Sequence, residues 1–260
     1  MLIKNTDDYL IFTDLDGTLI DHNSYSYEKA KEMLDFIEEK NIPLIIVTSK
    51  TKQEVLKIQN DLQISYPFIV ENGGGIFIPS KKDTEQITMG KTYSEALEFL
   101  ELYKDIFNIK SFSDMRDEEV ASLTGLSVQG AKLAKKRDFS EPFIIEEESN
   151  VKVLKELCAR EGFDIVKGGR FYHLITLGQD KANAMVSLKK IYENKYSKQY
   201  TTIALGDGEN DKTMLNFADI AVLIKKVDGT FIDYYKKKLI KTKKIGPEGW
   251  NESLKEILCP

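Results

Sequence analysis

The sequence predicts an α/β protein with one parallel sheet, built from two separate parts of the chain, and an α+β unit inserted between them. Apolar runs of strand length alternate with amphipathic helical stretches over the first 80 residues. This alternation stops at the polar segment 79–83 and resumes near Asp180. Because alternating strands and helices form parallel sheets with right-handed crossovers, both parts are expected to share one sheet. The predicted division is a core unit of residues 1–82 and 178–260 around an inserted unit of residues 83–177.

The first part of the core unit has strands predicted at residues 10–13, 43–48, 68–70 and 76–78. The run 43–48 is apolar throughout, which is typical of a strand buried on both faces. Apolar residues at helical spacing from Ala30 onward predict a helix after the first strand. Thr51 and Glu54 have the spacing of a capping box, which opens the next helix. Three glycines at 73–75 predict a turn between the last two strands.

The inserted unit is predicted to mix helices and strands. Its helices are expected near residues 96–103, 117–123, 128–137 and 151–158. Its strands are expected at residues 143–146, 163–166 and 171–175, and a hairpin turn at 167–170 joins the last two. After the insert, the core unit is completed by a helix near 185–192, strands at 200–205 and 220–223, and a closing amphipathic helix that carries Trp250.

Composition and charge narrow the class of protein. The chain has 260 residues, a net charge of −5 and 42% hydrophobic residues, which is ordinary for a soluble globular protein. The negative charge argues against a nucleic-acid partner, which needs a basic face, and the basic run 236–244 is interpreted as a solvated surface. Cys158 and Cys259 lack the spacing of a disulfide framework or a zinc site. A polar N-terminus and the lack of a long apolar run predict a cytoplasmic protein without a membrane partner.

Polar residues follow the predicted strands at the ends that meet in a parallel sheet. Asp14 and Asp16 come after the first strand, two residues apart and therefore on the same side. Thr48, Asn72 and the segment 206–211 follow three other strands. Because the carboxyl ends of parallel strands converge on one crevice, these side chains are expected to meet. For the aspartate pair or the glycine-rich segment taken alone, an exposed turn is the alternative.

Carboxylates without neighbouring His or Cys predict an oxygen-ligand site, which favours Mg²⁺. The segment 14–25 does not fit a calcium-binding EF-hand loop, since Leu19 stands at its sixth position and Tyr25 at its twelfth. The chain also lacks a P-loop and a GxGxxG motif, so nucleotide binding has no support.

These residues resemble the motifs of the haloacid dehalogenase superfamily of phosphohydrolases. The segment 14–18 is similar to its first motif, Thr48 to its second, Lys181 to its third and the segment 206–211 to its fourth, in the family's order. The resemblance implies a Rossmann-like parallel-sheet core. The place of the insertion resembles the type-2 (C2) cap of the sugar-phosphatase branch.

The resemblance also implies a mechanism. Asp14 would be the nucleophile that forms an aspartyl-phosphate. Asp16 would protonate the leaving alcohol and then activate water. Thr48 and Lys181 would bind the transferring phosphoryl group.

A metal site is implied as well. The ligands of Mg²⁺ would be Asp14, Asp16 (through its carbonyl oxygen) and Asp207. Asn210 and Asp211 would orient Lys181 or metal-bound water.

A closer resemblance, which covers nearly the whole chain, is to mannosyl-3-phosphoglycerate phosphatases. The similar stretches are 48–51, 70–74, 113–115, 123–126, 134–143, 168–171 and 246–250. Ala182 and Gly208 depart from the family's motifs, where glycine and serine are common, but neither replaces a reacting group. The resemblance implies hydrolysis of 2-O-(α-mannosyl)-3-phosphoglycerate to phosphate and mannosylglycerate, a compatible solute.

This small-molecule substrate carries a phosphate, a carboxylate and a sugar, and the predicted contacts follow from those groups. The predicted substrate-binding residues are Ser49, Lys50, Asn72, Gly73, Arg137, Glu141 and Arg170. The two arginines would fork onto carboxylate or phosphate oxygens, and Asn72 and Glu141 would bind sugar hydroxyls. For either arginine, an exposed surface charge is the alternative.

Other functions remain open. Glucosyl-3-phosphoglycerate or a general sugar phosphate would be hydrolysed by the same groups, since the two sugars differ in the orientation of one hydroxyl. A phosphomutase would return the phosphoryl group to a sugar. A regulatory module phosphorylated on an aspartate is less favoured, because such modules are shorter, lack a cap and leave Asp16 without a role.

Overall fold

The computed structural model describes residues 8–80, 84–168 and 171–259, and within these ranges twelve strands and nine α-helices form two sheets with helices packed on them. The strands are β1 (Tyr9–Thr13), β2 (Leu44–Val47), β3 (Phe68–Val70), β4 (Gly75–Pro79), β5 (Thr84–Thr88), β6 (Ile109–Ser111), β7 (Glu141–Ile145), β8 (Phe163–Gly168), β9 (Phe171–Thr176), β10 (Thr201–Gly206), β11 (Ile220–Lys225) and β12 (Leu239–Ile245). The helices are α1 (Lys31–Glu39), α2 (Lys52–Leu62), α3 (Tyr93–Phe107), α4 (Asp117–Thr124), α5 (Val128–Ala134), α6 (Val151–Arg160), α7 (Lys181–Tyr196), α8 (Lys212–Phe217) and α9 (Gly246–Leu258).

The larger sheet has the strand order β12-β11-β10-β1-β2-β3-β4-β5 in the described part of the chain. Neighbouring strands from β12 to β3 run parallel, and β4 and β5 add an antiparallel hairpin at one edge. Helices α1, α2 and α9 bury apolar faces against one side of this sheet, and α7 and α8 against the other. The central strand β1 is therefore buried on both faces. The predicted α/β fold with a parallel sheet is confirmed.

The smaller sheet has the order β6-β7-β9-β8 among the described residues, and its neighbours are all antiparallel. Helices α3 and α6 pack on one face around Phe143 and Leu174. Helices α4 and α5 form a second apolar cluster with Phe112, against which Ile144 and Phe171 pack. This unit lies between β5 and α7 in sequence and combines helices with strands.

The sequence patterns do not predict β5, β6 and β12, and they extend α5 three residues too far. Strand β6 has the sequence IKS, in which a single apolar residue gives no strand pattern. Strands β5 and β12 lie at opposite edges of the larger sheet as described, and their sequences, TEQIT and LIKTKKI, are largely polar. Polar and charged edge strands resist pairing with other chains, and they lose the apolar pattern that identifies a strand.

The interpretation of the basic run as a solvated surface is wrong for Lys236. Its ammonium donates to the carbonyl oxygens of Leu215 (2.8 Å), Asn216 (3.0 Å) and Ala218 at the end of α8. A cation at this position satisfies the unpaired carbonyls of a helix C-terminus. Burial lowers the pKa of the Lys236 ammonium. The other lysines of the run are exposed.

Helix α9 is tied to the end of β1 by its tryptophan. Trp250 is fully buried, and its Nε1 donates to Thr13 Oγ1 at 3.0 Å. The Thr13 hydroxyl in turn donates to the carbonyl oxygen of Asp14 at 2.7 Å. One side chain thus connects the closing helix to the strand end that carries Asp14.

Replacing Trp250 by Phe should lower the free energy of unfolding by about 1–3 kcal/mol, because a buried hydroxyl then loses its donor. Urea unfolding followed by far-ultraviolet circular dichroism measures the change without relying on the chain's one tryptophan. Thr13→Val is the matched partner variant. The double variant should cost less than the two single variants together, and simple additivity would contradict the proposed contribution of this hydrogen bond.

Candidate active site

Four strand ends in the described sheet bring polar side chains to one crevice. Asp14 follows β1, Thr48 follows β2, Asn72 lies in the turn after β3, and Asp207 follows β10. Since β1 lies between β10 and β2, Asp14 stands in the middle of this row. Helix α7 brings Lys181 to the same place.

Lys181 is the buried centre of the site. Its ammonium lies 2.6 Å from Asp14 Oδ1 and 2.7 Å from Asp211 Oδ1, and its side chain is 0% exposed. Burial opposes the charged amine, but the carboxylates of Asp14 and Asp211 outweigh burial and raise the pKa of Lys181. Lys181 begins α7, where Asp180 caps the helix by accepting the N–H of Asn183. The lysine is therefore held as a cation between two carboxylates.

The loop after β10 is organised by Asp211. Its Oδ2 accepts the N–H groups of Asp207 (3.1 Å) and Gly208 (2.9 Å). Gly206 leaves room for this carboxylate, because a Cβ there would lie 2.5 Å from Asp211 Cγ. The Thr18 hydroxyl donates to Asp207 Oδ1 at 3.3 Å. Asp211 thus fixes the backbone that carries Asp207.

Asp14, Asp207 and Asp211 form a carboxylate cluster in which each contributes an oxygen within 4.8 Å of the others. Burial raises the pKa of Asp14 well above its usual range, and the neighbouring carboxylates add to this while Lys181 opposes it. Burial, followed by repulsion from Asp211, raises the pKa of Asp207 to about 6. Crowded carboxylate oxygens of this kind fit a hard divalent cation, whose charge would relieve the repulsion. Asp14 and Asp207 belong to the predicted ligand set, and Asp211 is an addition to it.

The Asp16 side chain pairs with Lys50 and is not part of this cluster. Asp16 Oδ2 lies 2.9 Å from the Lys50 ammonium, which lies 3.9 Å from Glu54 Oε1 and 5.7 Å from the centre of the Tyr25 ring. Burial opposes the charge on Lys50, but Asp16 and Glu54 outweigh it and raise the pKa of Lys50. The Asp16 carboxylate stays 34% exposed. Lys50 therefore contacts the predicted acid directly.

The ends of β2, β3 and β10 are joined by hydrogen bonds around Asn72. Its N–H donates to the Thr48 carbonyl oxygen at 2.9 Å, and its side-chain oxygen accepts from Asn210 Nδ2 at 3.0 Å. Gly73 has a φ of +92°, and a Cβ there would lie 2.1 Å from the carbonyl oxygen of Asp180. Only glycine allows this turn to touch the start of α7.

Two residues predicted to contact substrate, Arg137 and Glu141, are hydrogen-bonded to other groups of the protein. The buried guanidinium of Arg137 lies 3.3 Å from the Glu71 carboxylate, so it is neither a surface charge nor an open fork. Glu141 is fully buried and accepts from the Tyr93 hydroxyl (2.9 Å) and the Ser113 N–H (2.7 Å). Burial raises the pKa of Glu141. Both side chains have internal partners in place of the ligand groups expected from the sequence.

A cavity of about 360 Å³ lies between the smaller sheet and the strand ends of the larger one. Asn72 and Lys181 line it from the larger sheet, and Val166 and Ile175 from the smaller sheet. A ligand in this cavity would contact both units. Arg170, predicted to contact substrate, lies outside the described residues.

Three neighbours of the site were not singled out by the sequence patterns. Thr18 holds Asp207, Glu71 binds Arg137, and Gln179 Nε2 donates to the Glu71 carbonyl oxygen at 2.6 Å. Each lies within two residues of a predicted site residue. That proximity is the signal that could have identified them.

A model of the haloacid dehalogenase-like hydrolase family matches residues 11–228. The matched segment contains the strand ends, Lys181 and the carboxylate cluster. The chain belongs to this family.

Two curated relatives extend the likeness over nearly the whole chain. A protein of Persephonella marina is 47% identical over 96% of this chain and 97% of its own length. A protein of Methanococcoides burtonii is 41% identical over the same shares. Both are named glucosyl-3-phosphoglycerate/mannosyl-3-phosphoglycerate phosphatase. The predicted enzyme class, a phosphoric monoester hydrolase of the haloacid dehalogenase family, is confirmed.

Solved structures share the fold. A protein of Thermoplasma acidophilum superposes with a TM-score of 0.73 at 22% identity and covers 96% of this chain and 97% of its own. A phosphatase of the same enzyme superfamily from Bacteroides thetaiotaomicron has a TM-score of 0.70 at 18% identity and covers 99% and 97%. None of the helices described for this family member is both long and apolar enough to cross a membrane.

Metal binding should depend on pH through Asp207. Its pKa of about 6 lies above the ordinary 3.8, so protonation of this group stabilises the metal-free fold at low pH, and this contribution is lost as pH rises through about 6. A cation needs the ionised carboxylate. The rise in melting temperature on adding millimolar Mg²⁺ should therefore be small at about pH 5 and large at about pH 7.5.

Differential scanning fluorimetry measures this rise without any assay of activity. Asp207→Asn should remove most of it. Glu209→Gln, which changes a carboxylate of the same loop outside the cluster, should leave it intact. An equal rise at both pH values, or full retention in Asp207→Asn, would contradict the assignment of this metal site.

Lys50→Met should slow hydrolysis of an alkyl phosphate by about a hundredfold or more, because Asp16 loses the partner that orients it as an acid. The loss should be much smaller with p-nitrophenyl phosphate, whose leaving group departs without a proton. Steady-state kinetics on both esters give the comparison. Lys57→Met, on the exposed side of α2, is the control, and equal losses on the two esters would argue against orientation of Asp16 by Lys50.

Proposed function

We propose that this chain is a Mg²⁺-dependent cytoplasmic phosphatase that hydrolyses 2-O-(α-mannosyl)-3-phosphoglycerate to mannosylglycerate and inorganic phosphate. The observation that carries the reaction is the buried Lys181 ammonium shared by Asp14 and Asp211 at the end of β1. The ammonium holds the Asp14 carboxylate at a position that a phosphoryl group in the crevice can reach. The substrate is supported by the names of two relatives that match nearly the full chain at 47% and 41% identity.

Asp14 is the proposed nucleophile. Lys181 binds its Oδ1, which leaves Oδ2 for attack on phosphorus. The new bond joins Asp14 to phosphorus, the ester P–O bond breaks, and Asp16 gives its proton to the departing alcohol oxygen. Water then attacks the aspartyl-phosphate, its proton passes to Asp16, and the Asp14–phosphorus bond breaks. Asp16 ends the cycle protonated, as it began.

The transferring phosphoryl group is bound by Thr48 and Lys181 in this proposal. Thr48 is buried at the end of β2, and Lys181 presents a permanent cation to the phosphoryl oxygens. Asp211 orients Lys181 through their 2.7 Å contact, and Asn210 links the loop of Asp207 to Asn72. Mg²⁺, held by Asp14, the Asp16 carbonyl oxygen and Asp207, would neutralise charge on the phosphoryl oxygens.

The leaving group is proposed to occupy the cavity between the two sheets. Its lining includes the Asn72 amide and apolar Val166 and Ile175 among several charged side chains, which suits a leaving group that has hydroxyls, an apolar sugar face and a carboxylate. Ser49, Asn72 and Gly73 border the crevice, and Arg170 remains the proposed partner of the glycerate carboxylate. We retain the division into a core of residues 1–82 and 178–260 and an insert of residues 83–177, except that 84–88 belong with the core because β5 pairs with β4.

Glucosyl-3-phosphoglycerate is the second candidate substrate, because the names of both relatives include it. No described contact distinguishes the orientation of a single sugar hydroxyl. Phosphate transfer back to a sugar, as in a mutase, is an outcome that the assay below would detect. A regulatory module without turnover does not agree with membership in a family of hydrolases.

Phosphate release from a panel of esters tests the proposal. We expect both sugar-phosphoglycerates to be hydrolysed at least about tenfold more efficiently than hexose 6-phosphates, a preference of roughly 1.4 kcal/mol in the transition state. The panel includes 3-phosphoglycerate, which lacks the sugar. Equal efficiency across the panel would indicate a general sugar phosphatase. Conversion of a hexose phosphate to its isomer without phosphate release would indicate a mutase.

Asp14→Asn is the control for the reaction itself. It should lower kcat by about a thousandfold or more, because the amide cannot form the covalent intermediate. Circular dichroism checks that the fold is kept. Turnover close to that of the unmodified enzyme would contradict the nucleophile assignment.

A further inference from the structure

A segment of the insert, residues 137–140, is built into the core of the larger unit. We call it the anchor segment. The buried Phe139 ring has its centre 6.3 Å from that of Phe77, and both belong to the apolar cluster of the larger sheet. A Cβ on Gly74 or Gly75 would lie 2.6 or 2.3 Å from Phe139 atoms. The two glycines thus make the space in which Phe139 packs.

The Glu71 carboxylate binds the backbone of the anchor segment. Its Oε1 accepts the N–H of Asp138 at 2.8 Å. Its Oε2 accepts the N–H groups of Ser140 (2.8 Å) and Phe139 (3.2 Å) and the Ser140 hydroxyl (2.7 Å). Glu71 is fully buried. A buried carboxylate is stable only when paired and hydrogen-bonded in this way.

Arg137 balances the charge of Glu71 and reaches a second loop of the site. Its Nε lies 3.3 Å from Glu71 Oε2 and donates to the Ser140 carbonyl oxygen at 2.8 Å. Its Nη2 donates to the Ser49 carbonyl oxygen at 3.1 Å and to Ser140 Oγ at 2.9 Å. The guanidinium therefore connects the insert to the loop that follows β2.

Glu71 and Ser49 each stand next to a residue of the proposed site. Glu71 precedes Asn72, and Ser49 follows Thr48. The turn of Glu71, Asn72 and Gly73 has φ values of +51°, +56° and +92°, and left-handed backbone in non-glycine residues persists only where surrounding contacts impose it. The contacts of Glu71 therefore help to keep Asn72 in place, in addition to its own bond to Thr48.

We propose that Glu71 and Arg137 are positioning residues that fix the Asn72 and Ser49 loops against the insert and thereby set the shape of the leaving-group side of the crevice. The chain passes between the two units at residues 89–92 and 177–180. The Glu71–Arg137 pair adds a non-covalent connection close to the site. This inference rests on the proposed function, since it assigns the cavity to the sugar-glycerate part of the substrate.

The reacting groups and the positioning residues should therefore affect different substrates, and kinetics can detect this difference. Asp14, Lys181 and Asp207 are held by bonds that do not include Glu71 or Arg137. A substrate that fills the cavity depends on the relation between the two units. A small ester such as p-nitrophenyl phosphate depends on it much less.

Glu71→Gln is the test variant, because it keeps the shape of the side chain but replaces the carboxylate that accepts the three backbone N–H groups with a neutral amide. KM for mannosyl-3-phosphoglycerate should rise about tenfold or more, equivalent to about 1.4 kcal/mol of binding, while kcat/KM for p-nitrophenyl phosphate should fall by less than about threefold. Arg137→Lys, which keeps the charge but loses the fork, should show the same selective rise to a smaller degree. It also serves if Glu71→Gln fails to fold.

Leu154→Ala is the matched control. Leu154 is buried in the apolar cluster of α3, α6 and the smaller sheet, so this change weakens the insert without touching the anchor segment. It should lower the melting temperature without a selective rise in KM. If both test variants lose activity on the two esters equally, as expected of general destabilisation, the positioning role is overturned.

Amide hydrogen exchange separates this inference from the proposed function. In Glu71→Gln the amides of residues 138–140 should exchange at least about tenfold faster than in the unmodified protein, whatever the substrate is. If the unmodified protein releases no phosphate from a sugar-phosphoglycerate, the proposed function fails and the KM comparison uses the best ester of the panel. Unchanged exchange at 138–140 in Glu71→Gln would overturn the anchoring itself.

Discussion

The buried ammonium of Lys181 is the interaction on which the site depends. Without a cation between them, Asp14 and Asp211 would be two buried carboxylates in close contact, and one would have to take up a proton. Removing one partner of such a buried pair costs about 3–5 kcal/mol. The start of α7, which carries the lysine, also packs against Gly73, where a Cβ would lie 2.1 Å from the Asp180 carbonyl oxygen. The charged centre of the site and a tightly packed glycine turn therefore lie side by side.

The sheet supports this arrangement by placing rigid strand ends beside one another. Four of its strands, β10, β1, β2 and β3, are adjacent and parallel, so the groups that follow them cannot move independently. Cross-links between their loops, such as Asn210 to Asn72 and Asn72 to Thr48, tie the ends together. The helices on both faces keep the strands dry and fixed. Groups placed in this way need little reorganisation to act on a charged ester.

Much of the fold and the polar strand ends follow from local sequence, because burial on both faces leaves a continuous apolar run and each strand end carries its polar group next to that run. The edge strand β12 could not be predicted in this way, since its sequence LIKTKKI is largely polar and has neither a continuous apolar run nor a regular alternation. The contacts of Lys236 could not be predicted either, because nothing in the neighbouring sequence shows that the end of α8 lies beside it.

The pairing of Arg137 with Glu71 could not be predicted either. The two residues are far apart in sequence, and each has the local pattern of a surface charge. Both are buried where Phe139 packs in the core against two consecutive glycines, a contact that joins distant segments. Local sequence does not show interactions of this kind. It therefore does not distinguish residues that contact the ligand from residues that shape the crevice.

The charges at the crevice are not balanced, and this has a consequence for the order of binding. The carboxylate cluster contains three acids, Asp14, Asp207 and Asp211, against the cation that it contacts, Lys181. Two negative charges remain when all four groups are ionised, and burial together with repulsion among the carboxylates raises the pKa values of Asp14 and Asp207. A phosphate monoester brings up to two more negative charges into the same low-dielectric space. A divalent cation would match this excess, and we therefore expect the ester to bind only weakly until the cluster has been neutralised.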